Sequence, residues 1–144
     1  MKQNIRNIAQ QVIKDEAEAI SKLTESINQD FESAVETVLN SKGRLIVTGI
    51  GKSANIATKI VATLNSTGTP AVFMHAADAI HGDLGIVQKD DVVMCISKSG
   101  NTPEIKVLIP LVKSLGNPLI ANVGNTDSFL AKQADYLLNS SVEK

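Results

Sequence analysis

Apolar residues recur at spacings of three and four from Ile5 to Leu39, with charged residues between them. This period predicts amphipathic helix. We expect two helices, because three residues near the middle can each cap a new helix: Ser26, Asn28 and Asp30. The apolar stripe is long for one face of a small domain. Packing against a second subunit and packing only on the chain's own sheet explain it equally well.

After Lys42-Gly43 the pattern changes to short, continuous apolar runs that are typical of buried parallel strands. The predicted strands are Leu45–Thr48, Ala71–Met74, Val92–Ser97, Pro118–Val123 and Tyr136–Leu138. Helices are predicted at 53–67 and 103–115, with a short one that Thr126 or Asp127 caps and that ends at Ala134. The fold class is therefore α/β, a doubly wound five-stranded parallel sheet of flavodoxin-like order. We expect one domain over residues 1–144, with amino-terminal helices over 1–42 and the α/β core over 43–144.

The first strand runs into a glycine turn, LIVTGIGKS, and a helix begins at Ser53. The first N–H groups of a helix have no partner within the helix, and Gly49 and Gly51 allow an anion to approach the backbone closely. This turn is therefore a candidate phosphate site. A Walker A loop is excluded because Ile46 stands where its first glycine is required. A dinucleotide site is the weaker hypothesis, since the region around the second strand, Pro70–His75, lacks the acid that binds ribose.

A second loop, Ser97–Thr102, follows the third strand and leads to Pro103 at a helix start. In the plainer interpretation, Thr102 is only the cap of the helix and the serines are ordinary turn residues. Three hydroxyls and Gly100 beside another anion-binding loop favour phosphate instead. Both loops leave carboxyl ends of strands, so we expect them to face one pocket at the switch point of the sheet. Hydroxyls and amides with few arginines suit a sugar phosphate.

Composition removes several other classes of function. With 14 basic and 15 acidic residues, the net charge of −1 gives no electrostatic basis for binding nucleic acid or an acidic membrane. Aromatic residues make up only 3% of the chain, which disfavours base stacking. Cys95 lies in an apolar run and is interpreted as a core residue. With no signal peptide and no membrane-length apolar span recognised, we expect a cytoplasmic protein.

Four motifs together resemble the sugar isomerase (SIS) domain family, and within it the arabinose 5-phosphate isomerases. They are Gly49-Ile-Gly51-Lys52-Ser53, Thr67-Gly68-Thr69-Pro70, His81-Gly82-Asp83-Leu84-Gly85 and Ser97-Lys-Ser99-Gly100-Asn-Thr102-Pro-Glu104-Ile105. The resemblance covers nearly the whole chain. It implies an aldose-ketose isomerase without a cofactor that interconverts ribulose 5-phosphate and arabinose 5-phosphate for Kdo in lipopolysaccharide or capsule. It also implies a homotetramer with active sites between subunits.

The resemblance assigns three catalytic candidates, each with a plainer alternative. Glu104 is a candidate base in a helix first turn, where a solvated carboxylate is equally well placed. Lys52 would stabilise the enediolate oxygen or hold phosphate, although on composition a solvated lysine is the commoner case. His81 would contact the sugar or shuttle a proton across a subunit boundary; otherwise it is a structural hydrogen-bonding group. The predicted substrate-binding residues are Gly51, Ser53, Gly68, Thr69, Ser97, Ser99, Gly100 and Thr102.

Some family members take up zinc at a position that matches His75, but one histidine does not make a metal site. The family pattern continues past the fifth strand with a catalytic glutamate in a Glu-Ala-Cys-Pro segment, a later active-site histidine and often paired CBS domains. This sequence ends at Lys144, and Glu143 is not the matching glutamate. We therefore expect a complete sheet and complete phosphate loops with an incomplete catalytic set.

A second hypothesis is a non-catalytic SIS module that senses a sugar phosphate or a Kdo nucleotide. Such a sensor requires the hydroxyl loops but no base, so Lys52, His81 and Glu104 together favour the enzyme. An isomerase of the sedoheptulose type is disfavoured by the His81 motif.

Overall fold

A computed structural model describes residues 2–143 as a three-layer α/β domain with a long amino-terminal helix. The helices are α1 (Lys2–Lys22), α2 (Gln29–Leu39), α3 (Lys52–Ser66), α4 (Ala76–Ala79), α5 (Pro103–Leu115) and α6 (Phe129–Gln133). The strands are β1 (Leu45–Gly49), β2 (Ala71–His75), β3 (Val92–Ser97), β4 (Leu119–Val123) and β5 (Tyr136–Asn139). Single 3₁₀ turns occupy Leu23–Ser26 and Asp83–Ile86. In the described part of the chain, no helix is both long enough and apolar enough to span a membrane.

The five strands form one parallel sheet in the order β2-β1-β3-β4-β5, which confirms the predicted fold class. The register aligns Leu45 of β1 with Ala71 of β2 and with Val92 of β3. The chain leaves β1 toward one edge of the sheet and leaves β3 toward the other. The switch point therefore lies between the carboxyl ends of β1 and β3, where both predicted phosphate loops begin.

Each face of the sheet buries its own apolar cluster, because side chains alternate along every strand. One face carries Ile46, Val93 and Ala121 and packs against α4, α5 and α6. The apolar stripe of α5 supplies four fully buried side chains to this cluster: Ile105, Leu108, Ile109 and Val112. The opposite face packs against α2 and α3. The core thus holds the sheet rigidly beneath the loops at its carboxyl edge.

The two amino-terminal helices behave differently. Asn28 caps α2 by accepting a hydrogen bond from the N–H of Phe31 at 3.2 Å, and the helix ends at Leu39. Asp30 is not the cap; its Oδ2 accepts the N–H of Leu137 at 2.9 Å and so ties α2 to the edge strand β5. Residues 3–18 of α1 are all exposed. The alternative in which the whole apolar stripe lies on its own sheet therefore does not describe α1. Helix α2 packs on the sheet through Ala34, while Val35 and Leu39 are 50% and 78% exposed.

An ion pair between the half-buried Arg44 and the buried Asp91 connects the amino ends of β1 and β3. The Asp91 carboxylate is 1% exposed and accepts from the Arg44 Nη2 at 2.7 Å, from the Arg44 backbone N–H at 2.7 Å and from the Gln88 N–H at 2.8 Å. Burial by itself raises the pKa of Asp91, but the hydrogen bonds from Arg44 and Gln88 outweigh it and hold the pKa below its ordinary value.

Two local predictions needed correction. The sequence predicts one long polar loop from His75 to Val87, but the structure places α4 and the Asp83–Ile86 turn within this connection. Helix α6 begins at Phe129 with Ser128 as its cap, because the buried Ser128 Oγ accepts the N–H of Ala131 at 3.3 Å. The predicted cap by Thr126 or Asp127 is wrong, as both precede the helix.

Candidate functional site

A cavity of about 420 Å³ opens at the switch point, between the β1–α3 and β3–α5 connections. Its lining residues are Ile50, Ser53, Ser97, Lys98, Ser99, Thr102, Gly124 and Asn125. Four of them carry hydroxyls, one is a lysine, and none is acidic. This composition suits a small anion with hydroxyl groups. The structure thus brings Ser53 of one loop and Ser97, Ser99 and Thr102 of the other to one cavity, as predicted.

Two long helices start at this cavity without a side-chain cap. Helix α3 is preceded by Gly51, which has a φ of 60° and no side chain to cap the helix. Helix α5 is preceded by Thr102, whose hydroxyl makes no capping bond. By contrast, α2, α4 and α6 are capped by Asn28, His75 and Ser128. The N–H groups at the start of α3 and α5 are therefore available to an anion, and both helix dipoles favour negative charge there.

The Thr102 hydroxyl is the clearest sign of a missing partner. Its Oγ1 is buried and has no hydrogen-bond partner among the described residues. An unsatisfied buried hydroxyl costs about 1–3 kcal/mol, and native proteins keep few of them. Because Thr102 lines the cavity, a bound oxyanion there would accept a hydrogen bond from the Thr102 hydroxyl. Ser97 Oγ already accepts the N–H of Gly100 at 3.0 Å, which leaves its own O–H to donate.

The three catalytic candidates lie on three connections at the carboxyl edge. Lys52 is the first residue of α3, exposed, and directly precedes the cavity residue Ser53. Glu104 is half-buried in the first turn of α5, two positions after Thr102. His81 is exposed between α4 and the Asp83–Ile86 turn, on the connection that leaves β2. None of the three lines the cavity itself.

Gly68 and Thr69 are not brought to this cavity. They follow the carboxyl end of α3, which runs back across the sheet, and therefore lie at the opposite edge. There they line a separate apolar groove of about 450 Å³ together with α2 residues such as Phe31 and Val35. The prediction that they share a pocket with the phosphate loops does not hold within one copy of the chain.

His75 has a structural role in this chain. Its Nδ1 accepts the N–H of Ala77 at 3.2 Å and caps α4, and its ring meets that of Phe73 edge to face at 6.2 Å. Among residues 2–143 there is no cluster of three or more His, Cys, Asp or Glu side chains placed to hold a metal ion. The residues around His75 therefore do not fit a zinc site.

Cys95 is fully buried in β3, and burial raises the pKa of its thiol to about 12. A thiol in that state is not a nucleophile near neutral pH, which agrees with its interpretation as a core residue.

Sequence reasoning missed three polar or backbone contributors to the cavity wall: Lys98, Gly124 and Asn125. Gly124 and Asn125 follow β4, and the Gly124 N–H donates to the Lys98 carbonyl at 3.0 Å. Their position after a neighbouring parallel strand was the available signal, since loops from adjacent carboxyl ends meet at one edge.

The fold and cavity define the chain as a flavodoxin-like α/β domain with a candidate anion site at its switch point. The family model of the SIS domain matches residues 38–144. The chain therefore belongs to the SIS domain family.

Two of the similar relatives are named arabinose 5-phosphate isomerase KdsD. The chain is 49% identical over 144 residues to the arabinose 5-phosphate isomerase KdsD of Pseudomonas aeruginosa, covering 99% of this chain and 44% of that protein. It is 43% identical over 141 residues to KdsD of Escherichia coli K12, covering 98% of this chain and 43% of that protein. The chain thus spans less than half the length of these curated relatives.

A solved structure supports the same relationship. The E. coli CFT073 protein c3406, solved in complex with arabinose 5-phosphate, superposes with a TM-score of 0.92 at 36% identity, covering 99% of this chain and 76% of that one.

Proposed function

We propose that this chain is the sugar-phosphate-binding part of an isomerase that interconverts D-ribulose 5-phosphate and D-arabinose 5-phosphate. The observation that carries the proposal is the cavity where two uncapped helices and the unpartnered Thr102 hydroxyl converge. The names of the KdsD relatives and the arabinose 5-phosphate complex of c3406 support the choice of sugar. They also favour an enzyme over the sensor hypothesis.

In this proposal the cavity fixes the phosphate and leaves the sugar carbons beyond it. Phosphate oxygens accept hydrogen bonds from Ser97, Ser99 and Thr102 and from the N–H groups that begin α3 and α5. Lys98 at the cavity wall adds a positive charge. Anchoring the phosphate holds C1 and C2 at a constant position, which lowers the entropic cost of reaching the transition state.

The reaction moves a proton between C1 and C2 through a cis-enediol. We assign its removal and return to the Glu104 carboxylate, which lies one turn from the phosphate loop. We assign stabilisation of the negative enediolate oxygen to the Lys52 ammonium at the start of α3. His81 would move the proton between the two substrate oxygens, acting at the site of its own or a neighbouring subunit.

Turnover and ligand protection on the same sample test this proposal. The 144-residue chain is mixed with ribulose 5-phosphate, formation of arabinose 5-phosphate is followed, and the melting temperature is recorded with arabinose 5-phosphate present. At about 100 times Kd, binding adds about 2.7 kcal/mol, or roughly 5–10 °C for a domain of this size.

Protection with turnover supports the whole proposal. Protection without turnover supports the site and assigns catalysis to residues outside this sequence. The absence of both would overturn the proposal and leave a binding module for another ligand.

We further propose that the product serves Kdo synthesis for lipopolysaccharide in the cytoplasm. The KdsD name of the relatives supports the pathway. The single, buried cysteine allows no disulfide within the chain, which suits a reducing compartment. A full-length protein containing this domain should restore growth to a strain that lacks its own arabinose 5-phosphate isomerase. Failure to restore growth, despite soluble expression, would contradict the proposed pathway.

We also propose a homotetramer in which α1 of one copy covers apolar surface of another. Ile5, Ile8 and Val12 lie on successive turns of α1 and are 62%, 56% and 47% exposed. The groove beside α2 is likewise apolar and open. Light scattering should give four times the 15.3 kDa of one copy, and Ile8→Glu should reduce that mass. A parent chain at 15.3 kDa would refute the assembly.

A further inference from the structure

The β3–α5 loop that lines the cavity is fastened to the start of α6. The Gly100 carbonyl accepts the N–H of Leu130 at 3.1 Å, and the Asn101 Oδ1 accepts the N–H of Phe129 at 2.9 Å. These two N–H groups belong to the first turn of α6, where no carbonyl of the helix itself can satisfy them. The loop therefore has a second support besides the strand and helix that it connects.

Asn101 links this support to a cavity residue. Its Nδ2 donates to the Ser99 carbonyl at 3.2 Å, and its backbone N–H donates to the Ser99 Oγ at 3.3 Å. Ser99 lines the cavity, whereas Asn101 does not. One side chain thus joins α6 on one side to the backbone that carries the Ser99 hydroxyl on the other.

We propose that Asn101 is a positioning residue for sugar-phosphate binding, acting by holding the Ser99 hydroxyl and the neighbouring N–H groups toward the anion. This inference rests on the proposed function of the cavity. Without the Asn101 side chain, Ser99 loses the bridge to α6, and the loop must be ordered when the ligand binds. That ordering reduces affinity without removing any group that touches the ligand.

The chain offers a matched control for a merely structural effect. Asn28 is also exposed, and its Oδ1 also accepts an N–H in the first turn of a helix, that of Phe31 at 3.2 Å. It lies on α2, away from the cavity. Each substitution removes an amide oxygen that accepts from a helix start, but Asn101→Ala also removes the bond to the Ser99 carbonyl, and only Asn101 lies in the phosphate loop.

The test measures Kd for D-arabinose 5-phosphate and for inorganic phosphate by calorimetry, with urea midpoints for the same proteins. We expect both variants to lower the urea midpoint to a similar degree. Asn101→Ala should weaken binding of both ligands about tenfold, as the loss of one well-placed hydrogen bond does. Asn28→Ala should leave both dissociation constants unchanged.

A reciprocal variant separates positioning from other effects of the substitution. Phe129 is the first residue of α6, a position where proline is tolerated. Phe129→Pro removes the N–H that donates to Asn101, but it also removes the phenyl ring, which packs against the core. Phe129→Ala removes the ring and keeps the N–H, so it serves as the control. The effect of Phe129→Pro on Kd, measured relative to Phe129→Ala, should therefore not add to that of Asn101→Ala in the double variant.

Unchanged affinity in Asn101→Ala, with normal binding by the parent chain, would overturn the inference alone. Additive effects of the two substitutions would also overturn it. No binding of either ligand by the parent chain would instead overturn the proposed function, and the inference with it.

Discussion

Replacing Gly100 by alanine tests most sharply how the phosphate loop is packed. Gly100 has a φ of 65°, and an added Cβ would clash with the Ser128 Oγ and lie 2.5 Å from the Ser128 Cβ. Ser128 is fully buried and caps α6, so it cannot move aside freely. The substitution therefore combines backbone strain with a clash inside the contact between the loop and α6.

The magnitude can be divided into these two contributions. A non-glycine residue in the left-handed region costs about 1–2 kcal/mol. Forcing a methyl group into a filled site costs about 1–3 kcal/mol more. Gly116 provides the control, because its φ is 81° and nothing lies within 4 Å of its added Cβ. Gly116→Ala should lose only about 1–2 kcal/mol, and Gly100→Ala about 2–5 kcal/mol.

Urea unfolding followed by circular dichroism measures both variants against the parent chain. Adding Ser128→Gly to Gly100→Ala removes the clashing atoms, so the double variant should recover part of the loss. Arabinose 5-phosphate affinity should fall in Gly100→Ala and stay unchanged in Gly116→Ala. Equal destabilisation by the two alanine substitutions would refute the packing argument, since it would leave strain as the only cost.

Three further predictions concern single side chains. Thr102→Val removes a buried hydroxyl that has no hydrogen-bond partner among the described residues. Urea unfolding should therefore show equal or higher stability, while affinity for arabinose 5-phosphate falls. Lower stability with unchanged affinity would contradict this. Asp91→Asn should lose about 1–3 kcal/mol, because an amide nitrogen in place of Oδ2 cannot accept from the Arg44 Nη2 or the Gln88 N–H, while Arg44 itself is 34% exposed and partly solvated. Since folding lowers the pKa of Asp91, its ionised carboxylate contributes fully to the free energy of unfolding above about pH 4. This contribution is lost as the pH falls through the pKa of Asp91 in the folded protein. An unfolding free energy with the same pH dependence in the parent and the variant would refute this assignment. Glu104→Gln should lower the isomerisation rate of an active protein containing this domain by about 10²–10⁴-fold and leave phosphate affinity within about twofold; an unchanged rate would remove Glu104 as the base.

The sheet and the two loops that line the cavity could be predicted because their signals are local. Continuous apolar runs such as Val92–Ser97 specify buried strands, and a glycine turn after β1 specifies a helix start. The strand order followed from the handedness of the connections. The shared cavity of Ser53 and Thr102 then followed from the rule that carboxyl ends of parallel strands meet.

The features that were missed depend on contacts between distant residues. Ser128 caps α6 partly because its side chain packs beside Gly100, which no pattern around Thr126 or Asp127 reveals. Gly68 and Thr69 belong to one of the four motifs that resemble the family, but they follow the carboxyl end of α3 and therefore lie at the opposite edge of the sheet. The proposed positioning role of Asn101 also depends on a distant residue, because its hydrogen-bond partner Phe129 lies 28 positions further along the chain.

The most direct test of the central claim is a two-dimensional NMR titration of this chain with D-arabinose 5-phosphate. The phosphate should shift the amide signals of Gly51–Ala54, Ser97–Thr102 and Gly124–Asn125, because these short segments contain the residues that line the cavity or lie next to them. Shifts confined to Gly68, Thr69 and α2 would place the ligand in the apolar groove instead. That result, or no shift at millimolar ligand, would contradict the account.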